Sequence, residues 1–302
     1  MAKILVSGLI NIETTLRVES FPIQYTPVRY PFFGVQSSVS GVGYNIACAL
    51  TRLGDEARLL SLIGRDPLAS LVRDALARDG IAAKNVLETL EQTAQSVILY
   101  DGEGRRQINV DLKDVQETSY PQARFNQAAA ACDLLVLTNV NFSRPFLEPA
   151  RRAGRLIATD VHAISDLNDP YNADFLRAAN ILFMSHEWLP GSPEEWARRV
   201  WDRYAPDVLV ISMGGEGALL CLREFGVMER IPAARAAKIT NTIGAGDALF
   251  SAFLHGYLKT KDAFLSLRKA MLFAAHKIRA VSASDGFLDA AGLDALYNQH
   301  TS

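Results

Sequence analysis

Cysteine is scarce in this 302-residue sequence: Cys48, Cys132 and Cys221 stand apart, without C-x-x-C spacing and without a histidine cluster beside them. An odd, sparse set argues against a disulfide framework or a cysteine zinc site and fits buried, reduced thiols. Long apolar runs are missing too. No stretch approaches the roughly 18 residues of a membrane span, and the N-terminal run in "MAKILVSGLINIETT" is broken at Ser7 and Gly8 before it could serve as a signal-peptide core. A cytoplasmic location is expected. Neither sign of charge dominates: 31 Lys and Arg against 33 Asp and Glu leave −2. Bulk electrostatics therefore give no reason to expect a nucleic-acid partner. The sequence also lacks any G-x-x-x-x-G-K-[ST], so a P-loop is excluded.

What remains is a globular composition, 49% hydrophobic and 21% charged. Short apolar runs ("KILVSGL", "ARLLSLIG", "DLLVLTNV", "RLIATDV", "NILFMS", "DVLVIS") alternate with helical stretches at 44–54, 67–80, 143–153, 172–179 and 193–204. Apolar strands alternating with helices imply a mainly parallel sheet covered on both faces, an α/β fold. No linker divides the chain, so residues 1–302 are expected to form one domain. Two segments break the alternation. Residues 14–35 carry three prolines, and residues 95–112 read as a hairpin turning at Asp101-Gly102-Glu103-Gly104. Both are expected to be antiparallel strands outside the main sheet, forming either a cover over a site or plain surface excursions.

Four stretches hold residues suited to chemistry. In "SGVGYNIACALTRLG", Gly41 and Gly43 precede a helix, where bare backbone can approach a ligand, and Asn45 can donate and accept toward a polyol. Ile46 stands where a dinucleotide fingerprint needs glycine; helix–sheet packing would explain the same glycines. In "GLINIETTL", Asn11 and Glu13 follow strand 1, at the strand end where ligands gather in parallel sheets; a turn Asn and a solvated loop Glu are the plainer reading of the same letters. In "LVISMGGEGALLCL", Gly214, Gly215 and Gly217 fit either a nucleotide-phosphate loop or a tight turn. In "NTIGAGDALF", Gly244, Ala245 and Gly246 precede a helix of at least ten residues, whose open amides and dipole favour an anion, with Asp247 in its first turn.

Together these stretches resemble the PfkB, or ribokinase-like, carbohydrate and nucleoside kinase family. "NTIGAGDALFSAF" is similar to its D-T-x-G-A-G-D signature, and the N-x-[DE] of 11–13, the G-x-G-x-N of 41–45 and the GRD of 64–66 stand in family order. The resemblance spans nearly the whole chain. It implies a ribokinase-like three-layer α/β/α fold with a mainly parallel central sheet and a small β-sheet lid, built here from about 14–35 and 95–112. It implies an ATP-dependent, Mg²⁺-requiring transfer of phosphoryl to a hydroxyl of a small sugar. Asp247 matches the catalytic base and Gly244, Ala245 and Gly246 the anion hole. Asn11, Glu13, Gly41, Gly43 and Asn45 match sugar contacts; Gly214, Gly215, Gly217 and Thr242 fall on the nucleotide side. Pairing of two lids in a homodimer is a further family trait.

The departures also carry information. Asn241 stands where the family usually has an Asp that helps hold a monovalent cation, and a neutral carboxamide is a weaker ligand, so the K⁺ site is weakened. The family's Mg²⁺-associated N-x-x-E is absent from "MSHEWLP", which leaves Glu187 as the metal-side candidate. His162, His186, His255 and His276 lack metal-ligand spacing and are expected on surfaces or helices. Arg105 and Arg106 fit a solvated turn or a contact to a phosphorylated sugar. Two rivals remain: a nucleoside kinase stacking a base on Tyr25, Tyr30, Phe32 or Phe33, and a non-catalytic sugar- or nucleotide-binding protein on the same fold.

Overall fold

Successive residues of a strand point to opposite faces of its sheet. In the run "ILV" near the N-terminus, Ile4 and Val6 enter one buried apolar cluster and Leu5 the other. Such a strand is unbroken in hydrophobicity because helices cover both faces. The computed structural model describes residues 1–236 and 239–301.

The chain begins β1 (Lys3–Ser7), β2 (Asn11–Arg17), β3 (Val35–Ser40), α1 (Val42–Arg52), β4 (Glu56–Gly64), α2 (Leu68–Arg78), β5 (Val86–Leu90), β6 (Gln95–Tyr100) and β7 (Arg106–Asp111). It continues α3 (Gln122–Ala129), β8 (Leu134–Leu137), α4 (Arg144–Arg152), β9 (Ile157–Ala163), α5 (Ala173–Ala178), β10 (Ile181–Ser185) and α6 (Pro193–Tyr204). It ends β11 (Val208–Ser212), β12 (Ala218–Leu222), β13 (Val227–Ile231), α7 (Ala245–Thr260), α8 (Ala263–Lys277) and α9 (Ala290–Thr301).

One sheet has the order β13-β12-β11-β10-β9-β8-β1-β4-β5, parallel from β11 to β5, with β12 antiparallel to both β11 and β13. From β1 the chain first builds outward through β4 and then returns to β8 on the other side. That reversal opens a crevice at the carboxyl ends of the strands, where ligands bind in open α/β sheets.

The second sheet, β3-β2-β6-β7, differs from the sequence expectation in two ways. Its strands begin earlier and end later than 14–35, since β2 starts at Asn11 and β3 runs to Ser40, while residues 18–34 form neither strand nor helix. The β2–β6 junction is parallel rather than antiparallel, because β6 is reached only after α1, β4, α2 and β5 have been laid down. The hairpin β6–β7 is antiparallel as expected, closed by Asp101, whose carboxylate accepts from the Glu103 and Arg105 amides. The GRD aspartate, Asp66, accepts from the Leu68 amide and from the Thr93 amide and hydroxyl, tying the start of α2 to the segment before β6.

α7 is the element that most directly positions a site. Phe250 and Phe253 on it flank Phe183 of β10, with ring centroids 4.8 and 5.2 Å apart. Pairs of this kind contribute about 0.5–1.5 kcal/mol each beyond area burial. They clamp the first turns of α7 against the main sheet.

Candidate active site

A cavity of about 850 Å³ opens between the two sheets. Its floor is the carboxyl ends of the main strands, with Asp160 and His162 in the last half of β9, Ser185 and Glu187 around the end of β10, and Ser212 of β11. Its roof is one face of the small sheet, and the period of two explains which residues face down. Asn11 and Glu13 of β2 register against Ser40 and Ser38 of β3, Glu13 against Ser96 of β6, and Ser96 against Val110 of β7. Asn11, Glu13, Ser40, Ser96, Ile98, Ile108 and Val110 all line the cavity.

Asp247 lies in the first turn of α7, and Gly244 caps the helix with φ +73°. A Cβ at Gly244 would come within 2.6 Å of the Ala283 carbonyl, whereas one at Gly246 would meet nothing within 4 Å. Glycine at 244 is thus required by the fold, and glycine at 246 leaves space in the cavity. The Ala245 amide turns back to Thr242 O at 3.3 Å and that of Ala248 bonds Gly244 O. The amides of Gly246 and Asp247 are first-turn donors with no intrahelical acceptor. Asn45 Nδ2 donates to Asp247 Oδ2 at 2.7 Å from the facing helix α1. Burial pushes the Asp247 carboxyl above the usual range; the Asn45 bond, His162 and Lys277 pull it down, and Asp160 pushes it up.

Beside Asp247, polar atoms wait for a partner. Glu13 Oε2 accepts from the Ser40 hydroxyl at 2.9 Å and Asn11 Nδ2 donates to Ser96 Oγ at 2.9 Å. Glu13 Oε1 and Asn11 Oδ1 are buried and accept nothing among the described residues. Orphaned buried acceptors are costly, and two on one strand, aimed into a cavity, suit hydroxyl donors. Burial raises the Glu13 carboxyl; the Ser40 bond, Lys277 and the nearby Ala283 backbone amide, which makes no well-formed bond to Oε1, oppose that, and Asp247 adds to it.

The other end of the cavity is more open. Gly214 and Gly215 lie in the turn Gly214–Glu216, and a Cβ on either would meet nothing within 4 Å. Apolar wall is supplied there by Ala233, Ala234, Ile239, Met271 and Ala274. Arg106, at the start of β7, spans the gap between the sheets: its Nη1 donates to Thr242 Oγ1 at 2.6 Å and its Nη2 to Glu187 Oε1 at 3.4 Å. Among the described residues no cluster of three or more His, Cys, Asp or Glu could hold a metal.

Residues 1–290 match the family described as "pfkB family carbohydrate kinase". The chain belongs to this family. A fructokinase of Klebsiella pneumoniae is 26% identical over 235 residues, covering 72% of this chain and 76% of its own. An acarbose 7(IV)-phosphotransferase of an Actinoplanes species is 25% identical over 292 residues, 96% of each. Among solved structures, the microbiome-derived acarbose kinase Mak1 superposes with a TM-score of 0.88 at 25% identity and 99% of both chains. A ribokinase from Thermotoga maritima gives 0.80 at 18% identity, covering 99% of this chain and 100% of its own, a likeness of fold. The architecture is ribokinase-like, and the protein is a phosphotransferase of the carbohydrate-kinase type.

In this kinase most of the residues singled out in the sequence converge on the cavity: Asn11, Glu13, Gly41, Asn45, Glu187, Gly214, Gly215, Gly217, Thr242, Gly244, Ala245, Gly246 and Asp247. Gly43 does not. Its amide donates to Leu9 O and a Cβ there would fall 2.5 Å from Gly8, so it serves the packing of α1 on the end of β1. Gly217 has a turn role as well, since a Cβ would lie 2.0 Å from Ile231 O. Asn241 is off the cavity wall: its Nδ2 donates to Val281 O and its Oδ1 accepts from the Ile243 amide. His162 and His186 are at strand ends on the cavity, while His255 and His276 are on helices α7 and α8. Arg105 folds back on Asp101, so of the two hairpin arginines only Arg106 reaches the site. The aromatics Tyr25, Tyr30, Phe32 and Phe33 are 75–100% exposed and none lines the cavity. Ser96, Asp160 and Lys277 were missed in the sequence because each is ordinary in its own segment; the strand alternation around 96 was the only signal available.

Proposed function

We propose that this kinase transfers the γ-phosphoryl group of ATP to a hydroxyl of a carbohydrate, with Asp247 as general base. The observation that carries the reading is the placement of one Asp247 oxygen. Asn45 holds Oδ2, while no group among the described residues bonds Oδ1, in the same helix turn whose Gly246 and Asp247 amides lack acceptors. A proton acceptor thus adjoins an anion-binding helix start, the pairing that phosphoryl transfer to a hydroxyl needs. The attacking hydroxyl gives its proton to Asp247 as its oxygen bonds to phosphorus, the bond to the β-phosphate oxygen breaks, and ADP leaves. Charge on the transferring group is met by the helix-start amides, acting as an anion hole. Binding alone would need no carboxylate there, which weighs against a non-catalytic role.

Glu13 Oε1 and Asn11 Oδ1 would accept from two further hydroxyls of the sugar. The turn carrying Gly214 and Gly215 would take the nucleotide, with its adenine against the apolar wall around Met271 and Ala274. Mg²⁺ bound with the nucleotide would neutralise phosphate charge, and Glu187 is the carboxylate on that wall suited to hold it through water. The small sheet would then be a lid, excluding water as a competing acceptor.

Replacing Asp247 by Asn keeps the shape and an acceptor for Asn45. ADP release with fructose or acarbose as acceptor, the sugars in the relatives' names, is expected to fall about 10²–10⁴-fold, the usual worth of a general base. Turnover within a factor of three of the unaltered enzyme would remove Asp247 from that role.

A further inference from the structure

We infer that the Lys277 ammonium is a built-in cation behind the Gly244 helix start, standing in for a bound monovalent ion and leaving this enzyme independent of K⁺. The inference rests on the kinase reading above. Lys277 is the last residue of α8 and is fully buried. Its Nζ does not fold back on its own helix. It crosses to Ile243 O, one residue before the Gly244 cap, and to Ser282 O at 2.9 Å. No carboxylate pairs with it among the described residues; Asp247, Glu13 and Asp285 act on it only through space.

An unpaired buried ammonium is expensive, so its persistence calls for a reason beyond packing. The surroundings supply one. Ser282 and Ala283 belong to the segment against which Gly244 packs, the Ala283 carbonyl oxygen lying 2.6 Å from where a Gly244 Cβ would be. Ile243 and Ala283 also pack with Ile98 of the lid, and the Ser282 and Ser284 hydroxyls reach Ser38 Oγ and Val39 O. The ammonium therefore fastens the helix-start loop, the 282–284 segment and the lid at one joint. It also sets a positive charge close enough to lower the carboxyl pKa of both Asp247 and Glu13.

The residues present do not suit a separate monovalent ion. A K⁺ cage needs several oxygens with free lone pairs pointing to one centre. Here Ile243 O and Ser282 O receive N–H bonds from Lys277, and Val281 O receives one from Asn241 Nδ2. The charge-neutral Asn241 and the ammonium belong together: an aspartate at 241 could not donate to Val281 O, and its charge would not be needed to attract an ion.

Two measurements on the full-length enzyme test this. ADP release with fructose or acarbose is compared in K⁺, Na⁺ and tetramethylammonium chloride at one ionic strength, and crystals are soaked in Rb⁺ for anomalous scattering. The unaltered enzyme is expected to vary less than twofold among the salts and to show no Rb⁺ at Ile243 O and Ser282 O. Lys277→Ala is expected to lose at least tenfold in kcat, with little change in KM for ATP, in tetramethylammonium. K⁺ or NH₄⁺ should restore much of it, raise the melting temperature of the variant, and be replaceable by Rb⁺ visible between those two carbonyls. Stimulation of the unaltered enzyme more than fivefold by K⁺, or Rb⁺ bound in it beside Ile243 O, overturns the inference. So does a folded Lys277→Ala that no cation revives, or one that keeps its kcat in tetramethylammonium. If Lys277→Ala does not fold, the two measurements on the unaltered enzyme decide. The Rb⁺ result is independent of turnover, so a failed kinase reading would show as absent ADP release with the ion data intact.

Discussion

On the proposed reading Asp247 accepts a proton from inside a wall of protein, and its environment is divided about that. Burial raises its pKa; the Asn45 bond, His162 and Lys277 lower it, and Asp160 raises it again. A general base works best with a pKa drawn toward the operating pH, so the net upward direction suits the role. The acid limb of kcat is expected to have its midpoint above about 4, the ordinary aspartate value, and to move further up when Asn45→Leu removes the lowering bond. A limb at or below the ordinary value would show that burial is not the dominant influence. Stability follows with its own sign. A carboxyl whose folded pKa is raised contributes stability that is fully present below its unfolded pKa and is lost as pH rises through the folded one. At pH 7 Asp247 is therefore a cost to stability, and Asp247→Asn should melt higher than the unaltered enzyme, the gap closing as the pH approaches 4. Melting curves between pH 4 and 8 check this.

At the scale of elements, the start of α7 shows why one motif was legible from sequence and another only half so. Two glycines around a small residue before an amphipathic run announce an open helix start, and the helix begins at Ala245 with Asp247 in its first turn. What the letters could not separate is why each glycine is there. Gly244 is held at φ +73° against Ala283 O, and Gly246 faces open cavity. Gly244→Ala is expected to destabilise the protein by about 1–3 kcal/mol through left-handed backbone strain, with more from the clash. Gly246→Ala should melt like the unaltered enzyme and instead lose activity, because its methyl group enters the space claimed for the phosphoryl group. Calorimetry beside ADP release separates the two; equal loss of melting temperature in both would show that Gly246 is structural as well. The same ambiguity misplaced Gly43, whose need for bareness lies in its contact with Gly8, a neighbour 35 residues away in sequence and invisible in the spacing. Lys277 is the extreme case. In "RKAMLFAAHK" it reads as an ordinary helix-end lysine, and only the fold brings Ile243 and Ser282 to its ammonium.

Over the whole molecule, the two sheets meet at few polar points, and Arg106 is the most telling of them. The main sheet was readable because strands covered on both faces announce themselves as apolar runs, and the existence of the small sheet because two segments failed to. How the sheets face each other was not readable, since that depends on the parallel β2–β6 junction and on a side chain spanning the gap. Arg106 leaves β7, donates to Thr242 Oγ1 beside the helix start and reaches Glu187 just past the end of β10. If the small sheet is a lid, this arginine fastens it over both halves of the reaction. The ion pair is largely solvated, so little stability is at stake, and the effect should appear in catalysis. Arg106→Ala is expected to leave the melting temperature within a degree or two and to lower kcat/KM by about 10–100-fold, roughly 1.4–2.7 kcal/mol of transition-state stabilisation. A lid that closes poorly admits water as acceptor, so ATP hydrolysed per sugar phosphorylated should rise in the variant, and Arg106→Lys, which keeps charge but not the fork, should fall between. Measuring ADP and sugar phosphate in the same reaction gives that ratio. An unchanged ratio with a reduced rate would make Arg106 a contact to the phosphates and not a fastening of the lid.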